Sequence, residues 1–225
     1  SYPLGAAVGV SYIAGGGSPV MAVVLAFLAG SVAGVVTGLL HTKLKIPALL
    51  AGILTMIGLY SINIRVMGDK SNVSILRMDT IYTFFENFGL GKNESILVCG
   101  LIFVVTLIVF LYWFFGTEIG AAIRATGCNK QMIRAQGVDT DITIILGLLI
   151  SNGMVAMAGA LIGQSQGFAD VGMGTGTIVI GLASVIIGEV LFGTRNFMNW
   201  LLAVVGGSIV YRVVIAAVLK MGMNQ

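Results

Sequence analysis

The sequence predicts an all-α protein, a polytopic bundle of transmembrane helices, and three observations carry that prediction. Of its 225 residues 57% are hydrophobic and only 9% charged, where a soluble domain carries about 25% charged residues. Mean hydropathy is +1.03, so the apolar residues exceed what a soluble core would take up and part of the exterior must face lipid. The apolar runs are continuous over roughly 20 residues, the length of a membrane-crossing helix, and lack the alternation of the roughly ten-residue strands of a β-barrel. The net charge of +3 lies beside membrane segments and bears on orientation. No nucleic-acid partner is expected; the bilayer is.

Residues 1–17 (SYPLGAAVGVSYIAGGG) are apolar and glycine-rich but shorter than a span. They lack the basic start of a signal peptide and predict a short, broken membrane helix, which lipid tolerates only where protein or a cavity surrounds it. The cluster Gly15–Pro19 ends it, with Pro19 suited to open the next helix. Val20 to Leu40 is a full span in which Gly30, Gly34 and Gly38 recur on one face; small residues so spaced let a neighbouring backbone approach, the alternative being a face that lines a pore. His41, Lys43 and Lys45 follow. His41 is the only histidine, with no carboxylate or cysteine beside it to complete a metal site, so no metal or other cofactor is expected.

Ile46 to Met67 returns across the membrane, with Pro47 early in the helix and Arg65 at its far end either snorkelling or facing substrate. Gly68 to Asn93 is the longest polar connection, read as an external loop. Its apolar pieces (Val73, Ile75, Leu76, then Ile81, Tyr82, Phe84, Phe85, Phe88) predict one or two short interfacial helices. Glu94 to Phe115 is the clearest span, closed by Tyr112, Trp113, Phe114 and Phe115. Ile142 to Gln164 recrosses, Gly167 to Gly176 is a glycine-rich external connection, and Thr177 to Phe192 and Phe197 to Leu219 complete about seven membrane segments. The two cysteines, Cys99 in an apolar run and Cys128 in a polar one, are not placed to form a disulfide.

Residues 116–139, GTEIGAAIRATGCNKQMIRAQGVD, are the one long polar interruption with a basic balance. Arg124, Lys130 and Arg134 face Glu118 and Asp139 in number, and juxtamembrane Lys/Arg marks the cytoplasmic side. Ile119, Ile123, Met132, Ile133 and Val138 are spaced for one or two short helices with apolar stripes. The stretch reads either as a cytoplasmic elbow that docks on a soluble partner or as a solvated loop. Alternation then places Lys43, Lys45, Arg124, Lys130, Arg134 and Arg195 inside, and Arg65, Lys70, Arg77, Lys92 and Lys220 outside, with Asp69, Asp79, Glu86 and Glu94 offsetting the outer group.

No catalytic pattern appears, and no phosphate-binding GxxxxGK[ST] loop; GMGTG (Gly172 to Gly176) lacks the strand and lysine and reads as a helix-connecting turn. Glu189 and Arg212 are ionisable residues inside apolar runs, which makes them functional candidates by default. They approach from opposite sides, so no salt bridge between them is expected, and snorkelling is the alternative for both.

The elbow and the helix after it resemble the permeases of bacterial ABC importers, in the branched-chain amino acid and ribose group. Gly120, Ala122, Arg124, Ala125, Gly127, Asn129, Ala135, Gly137 and Val138 fill the places of that group's G-x-A-x-R-A-x-G-x-N and A-x-x-x-G-(I/V) runs, and Ser151 to Gly163 matches its small-residue stretch. GLLHTKLKIPALLAGILTMIGLYSINIRVMG is similar to a subgroup proposed to move amino acids, aromatic ones included. Family members are longer, so this chain is expected to be a piece lacking flanking helices.

The resemblance implies a non-enzymatic, multi-pass subunit of the bacterial plasma membrane. It implies a second permease copy, a cytoplasmic ATP-binding subunit and an external substrate-binding protein, the last received by Gly68 to Asn93. It places Gly120, Ile123, Arg124, Gly127, Asn129, Met132 and Gly137 in ATPase coupling, and Asn152, Gln164 and Gln166 on the substrate path. An ion-gradient-driven transporter and a structural subunit of a membrane complex are the alternatives. The first would call for inverted repeats with paired broken helices, of which one broken segment is visible.

Overall fold

Pro19 occupies the first turn of a helix, where its missing N–H costs nothing, and Ser18 before it is extended; from there the chain runs helical to Thr42. The computed structural model describes every residue except Arg77, Asn87, Phe88, Leu90, Thr194, Arg195 and 222–225. The expectations for Arg77, Phe88 and Arg195 therefore lie outside the described residues. Those described form helices α1 (Tyr2–Ala14), α2 (Pro19–Thr42), α3 (Ala48–Val66), α4 (Ile81–Glu86), α5 (Lys92–Gly116), α6 (Glu118–Cys128), α7 (Lys130–Ala135), α8 (Thr140–Gln166), α9 (Thr177–Phe192) and α10 (Phe197–Lys220). Two short strands, β1 (Asn72–Ser74) and β2 (Phe168–Asp170), and a 3-10 turn at Val171–Gly174 complete them. Six segments are long and apolar enough to cross a membrane, those of α2, α3, α5, α8, α9 and α10, and α1 is the shorter apolar seventh. The polytopic helical bundle is as the composition predicts. Pro47 precedes α3 as its N-cap instead of lying within it.

The chain divides into two compact units. The first comprises Ser1–Phe103 and Phe114–Met173. Its centre is built of small residues: Ala6, Ala22, Ala26, Ala156 and Ala160 are wholly enclosed, while large side chains such as Leu28, Val32 and Leu49 point outward. Lipid supplies no hydrophobic drive between helices, so close van der Waals packing has to. α2 lies along α8 through its glycine face. A Cβ on Gly34 would overlap the Leu148 carbonyl oxygen, one on Gly30 the Ala156 methyl, and one on Gly38 would stand 3.0 Å from Ile145 Cγ1. α1 is seated on α8 in the same way, Gly5 against the Ala156 carbonyl, Gly9 against the Ala160 methyl, and Gly159 of α8 against the Tyr2 carbonyl.

At the end of this unit opposite the elbow, β1 and β2 pair antiparallel in the register Asn72↔Asp170, Val73↔Ala169, Ser74↔Phe168. Ile13, Met67, Ile75, Ala169 and Val171 form a buried cluster beneath the ribbon. The ribbon corrects the expectation that residues 68–93 and 167–176 hold only helices and turns. Three residues per strand are too few to show a period of two, so the sequence carries no signal for it. α4 does appear, as one short helix.

The second unit comprises Val104–Trp113 and Gly174–Gln225. α9 and α10 make a close antiparallel hairpin: a Cβ on Gly188 would overlap the Ala203 carbonyl oxygen, and one on Gly207 that of Ser184. Gly176, in the left-handed conformation at φ 82°, caps α9, so GMGTG does close as a helix-connecting turn.

Candidate functional site

The elbow is two helices, each started by a side chain that satisfies the free N–H groups of a first turn. Thr117 caps α6, its Oγ1 accepting from Gly120 N at 3.3 Å and donating to the Phe114 carbonyl at 2.6 Å. Gly120 has to be glycine: a Cβ there would overlap the Phe114 carbonyl oxygen at the close of α5. Asn129 caps α7, its Oδ1 accepting from Gln131 N and Met132 N, each at 3.1 Å. Gly137 ends that helix at φ 83°, a conformation side chains resist.

A polar seam, buried at its threonines and exposed at Arg134, holds the elbow to α8. The hydroxyls of Thr126 and Thr143 are 2.9 Å apart. Arg134 Nε donates to Thr140 Oγ1 at 2.7 Å and its Nη2 to Asp141 Oδ1 at 3.3 Å. Ile133 is buried at the centre. Of the residues expected at a partner contact, Arg124, Gly127, Asn129 and Met132 are exposed, and Met132 shows 47% of its surface. Ile123 is half-buried, its Cγ2 over Gly147 of α8. The apolar residue left outward on α6 is Ile119, 56% exposed.

The three residues expected along a substrate path are not brought together. Asn152, half-buried, donates from Nδ2 to the Leu148 carbonyl at 2.9 Å and accepts from the Ser1 hydroxyl. Gln164 is buried, and both ends of its amide are engaged: Oε1 accepts from Ile81 N at 3.1 Å and Nε2 donates to the Pro19 carbonyl at 3.2 Å. It pins the starts of α4 and α2 to α8. Gln166 is exposed at the end of α8. In the second unit Glu189 accepts from Trp200 Nε1 at 2.8 Å, across the turn of the α9–α10 hairpin, while Arg212 is exposed well beyond that turn on α10.

Sequence reasoning missed a cavity of about 130 Å³ at the end of the first unit opposite the elbow, bordered by Ile75, Tyr82, Glu86, Lys92, Ile96 and Gln164. The available signal was a loop with both charge signs beside aromatics, which reads equally as an interfacial helix. The Tyr82 hydroxyl donates to the Leu161 carbonyl at 3.1 Å. Burial, with a smaller contribution from the Cys99 thiol, pushes its pKa up to about 12.

The family described as branched-chain amino acid transport system, permease component, matches residues 1–224. A tyrosine transport system permease protein of Clostridioides difficile (strain R20291) is 41% identical over 223 residues, 99% of this chain and 72% of that protein. An uncharacterized protein of Rickettsia prowazekii (strain Madrid E) is 31% identical over 90% of this chain and 71% of its own length. The autoinducer 2 import system permease protein of Salmonella paratyphi B (strain ATCC BAA-1250 / SPB7) is 30% identical over 81% of this chain and 51% of that protein. No solved structure matches the chain. Six membrane-crossing helices, a tightly packed short seventh and a match along almost the entire sequence converge: the chain belongs to the branched-chain amino acid transport permeases, as a multi-pass permease component of an ABC importer in the bacterial plasma membrane.

Proposed function

We propose that this permease carries an amino acid inward, that α6 and α7 form the seat on its cytoplasmic side for a separate ATP-hydrolysing subunit, and that it works beside a second permease copy with an external binding protein delivering the solute. The observation that carries the reading is the polar seam between the elbow and α8. Thr126, Ile133 and Arg134 hold two short helices against Thr140, Asp141 and Thr143 in the first turn of α8. Gly120 lets α6 approach the close of α5, and Gly137 lets the chain turn after α7. The outward residues, Ile119, Arg124 and Met132, offer apolar area and a cation to a partner.

α8 spans 27 residues, about 40 Å at 1.5 Å per residue, and at its far end Gln164 holds α2 and α4. A push on the elbow is thereby passed along one continuous helix to the opposite end of the unit. Amino acid is favoured as the solute class because the relative named for tyrosine transport is 41% identical over nearly the whole chain, against 30% for the autoinducer permease. The test is solute uptake and ATP hydrolysis by the assembled importer in liposomes, with Arg124→Glu. Charge reversal is expected to leave the ATPase active but no longer stimulated by loaded binding protein; unchanged stimulation refutes the seat.

A further inference from the structure

The cavity above Gln164 is unusual in which of its polar groups remain available. The Gln164 amide and the Tyr82 hydroxyl are both engaged, at the start of α4. Thr80 and Thr83 bond each other, Thr80 N to Thr83 Oγ1 at 2.9 Å, and Ser165 Oγ donates to the Ile162 carbonyl at 2.9 Å. Two charged side chains are left on the lining, the half-buried carboxylate of Glu86 and, at the rim, the exposed ammonium of Lys92. Among the described residues neither has an ion-pair partner, the other included.

Lys92 also stands at the first position of α5, where the helix dipole disfavours a cation; Glu94, accepting from Gly91 N at 3.2 Å, is the residue that suits that end. Helix stability thus gives no reason for a lysine there. Buried Ile75, half-buried Ile96 and the Tyr82 ring supply apolar wall.

One carboxylate, one ammonium and an apolar wall in a hollow of this size complement a small zwitterion with a single apolar side chain. A lone cation would leave Lys92 uncompensated, and a lone anion would leave Glu86 so. We propose that this cavity is a receiving site for a free α-amino acid, Glu86 facing its ammonium and Lys92 its carboxylate, before the solute enters the membrane path. The identity of the occupant rests on the amino-acid importer reading. The charge complementarity is shared with a zwitterionic lipid headgroup, and the test separates the two.

The full chain is placed in nanodiscs of phosphatidylglycerol, and binding of L-tyrosine, tyramine and 3-(4-hydroxyphenyl)propionate is measured by calorimetry. L-Tyrosine is expected to bind, and Glu86→Gln or Lys92→Gln each to weaken it about tenfold, the scale of one charge-assisted hydrogen bond. Tyramine binding should respond to Glu86→Gln alone and the propionate to Lys92→Gln alone. Equal affinities in both variants overturn the proposal, as does loss of tyrosine binding when phosphatidylethanolamine is added, which assigns the site to lipid. Uptake by the assembled importer is read in parallel. Tyrosine uptake with unchanged affinities in both variants refutes the cavity and leaves the importer reading standing. Charge-dependent tyrosine binding without amino-acid uptake supports the cavity and refutes that reading.

Discussion

Thr126 on α6 and Thr143 on α8 share a hydroxyl–hydroxyl contact of 2.9 Å, with only 3% and 6% of their surfaces exposed. Thr126 Oγ1 is also within 2.7 Å of the Ala122 carbonyl, and Thr143 Oγ1 within 3.0 Å of the Thr140 carbonyl. Two hydroxyl protons serve three contacts, so two of the three hydrogen bonds are made at a time, shut off from water. Thr126→Val, of nearly equal volume, should cost about 1 kcal/mol, the net value of one such bond, and reduce uptake more than ATP hydrolysis. Thr126→Ser should restore both. Thermal unfolding in detergent and transport in liposomes check this; a valine variant with full stability and full coupling refutes it.

The glycines separate into those in contact and those in the open. Gly34→Ala would force a methyl into the Leu148 carbonyl, whereas Gly52 and Gly58 of α3 have no such neighbour within 4 Å. Overpacking costs about 1–3 kcal/mol, so Gly34→Ala should lower the unfolding temperature clearly. Gly52→Ala and Gly58→Ala should leave it unchanged or raise it, since alanine is the better helix former. The comparison fails if all three behave alike.

Gln164→Leu would remove the acceptor of the half-buried Ile81 N–H and a donor to the Pro19 carbonyl, at about 1 kcal/mol for each hydrogen bond lost. The local signature is faster amide hydrogen exchange at α4 than at α8. Protection at Ile81 equal to that of the parent would show that Gln164 holds nothing.

Tyr82 gives a pH dependence with a definite sign. Its phenol is held neutral to about pH 12, against a usual 10.0, so between these values the unfolded chain binds fewer protons than the folded one. Stability then falls as pH rises. The contribution is complete below pH 10 and lost on approach to 12. Unfolding midpoints measured across that window should decline less steeply in Tyr82→Phe. Identical slopes would place the tyrosine in water.

The spans were legible because each of α2, α3, α5, α8, α9 and α10 carries a long apolar run between polar or glycine-rich breaks. The glycine face of α2 was legible too, since spacing by four fixes one side of a helix regardless of what lies against it. The partner of that face, α8, was not, because pairing is a tertiary fact. The β1–β2 ribbon escaped for want of length. In the elbow, spacing gave one or two short helices, and their inward and outward faces were readable only in part: Met132 is exposed, while Ile123 turns onto Gly147 and Ile119 takes the outward place. Gln164 was singled out as a polar residue near a span end, but an amide that fastens two backbones and an amide that meets solute look identical in sequence. The cavity beside Gln164 depends on α4 folding back over α8, which no local pattern announces.

The seating of α1 bears on how the protein is made. Ser1, which precedes it, contacts Asn152, 151 positions further along, and Gly5 and Gly9 close onto Ala156 and Ala160 of α8. During synthesis at roughly 5–20 residues per second, that partner emerges some 8–30 s later. For that interval α1 has α2 and α3 to pack on but not its seat on α8, so the emergence of α8 is the event that completes its packing.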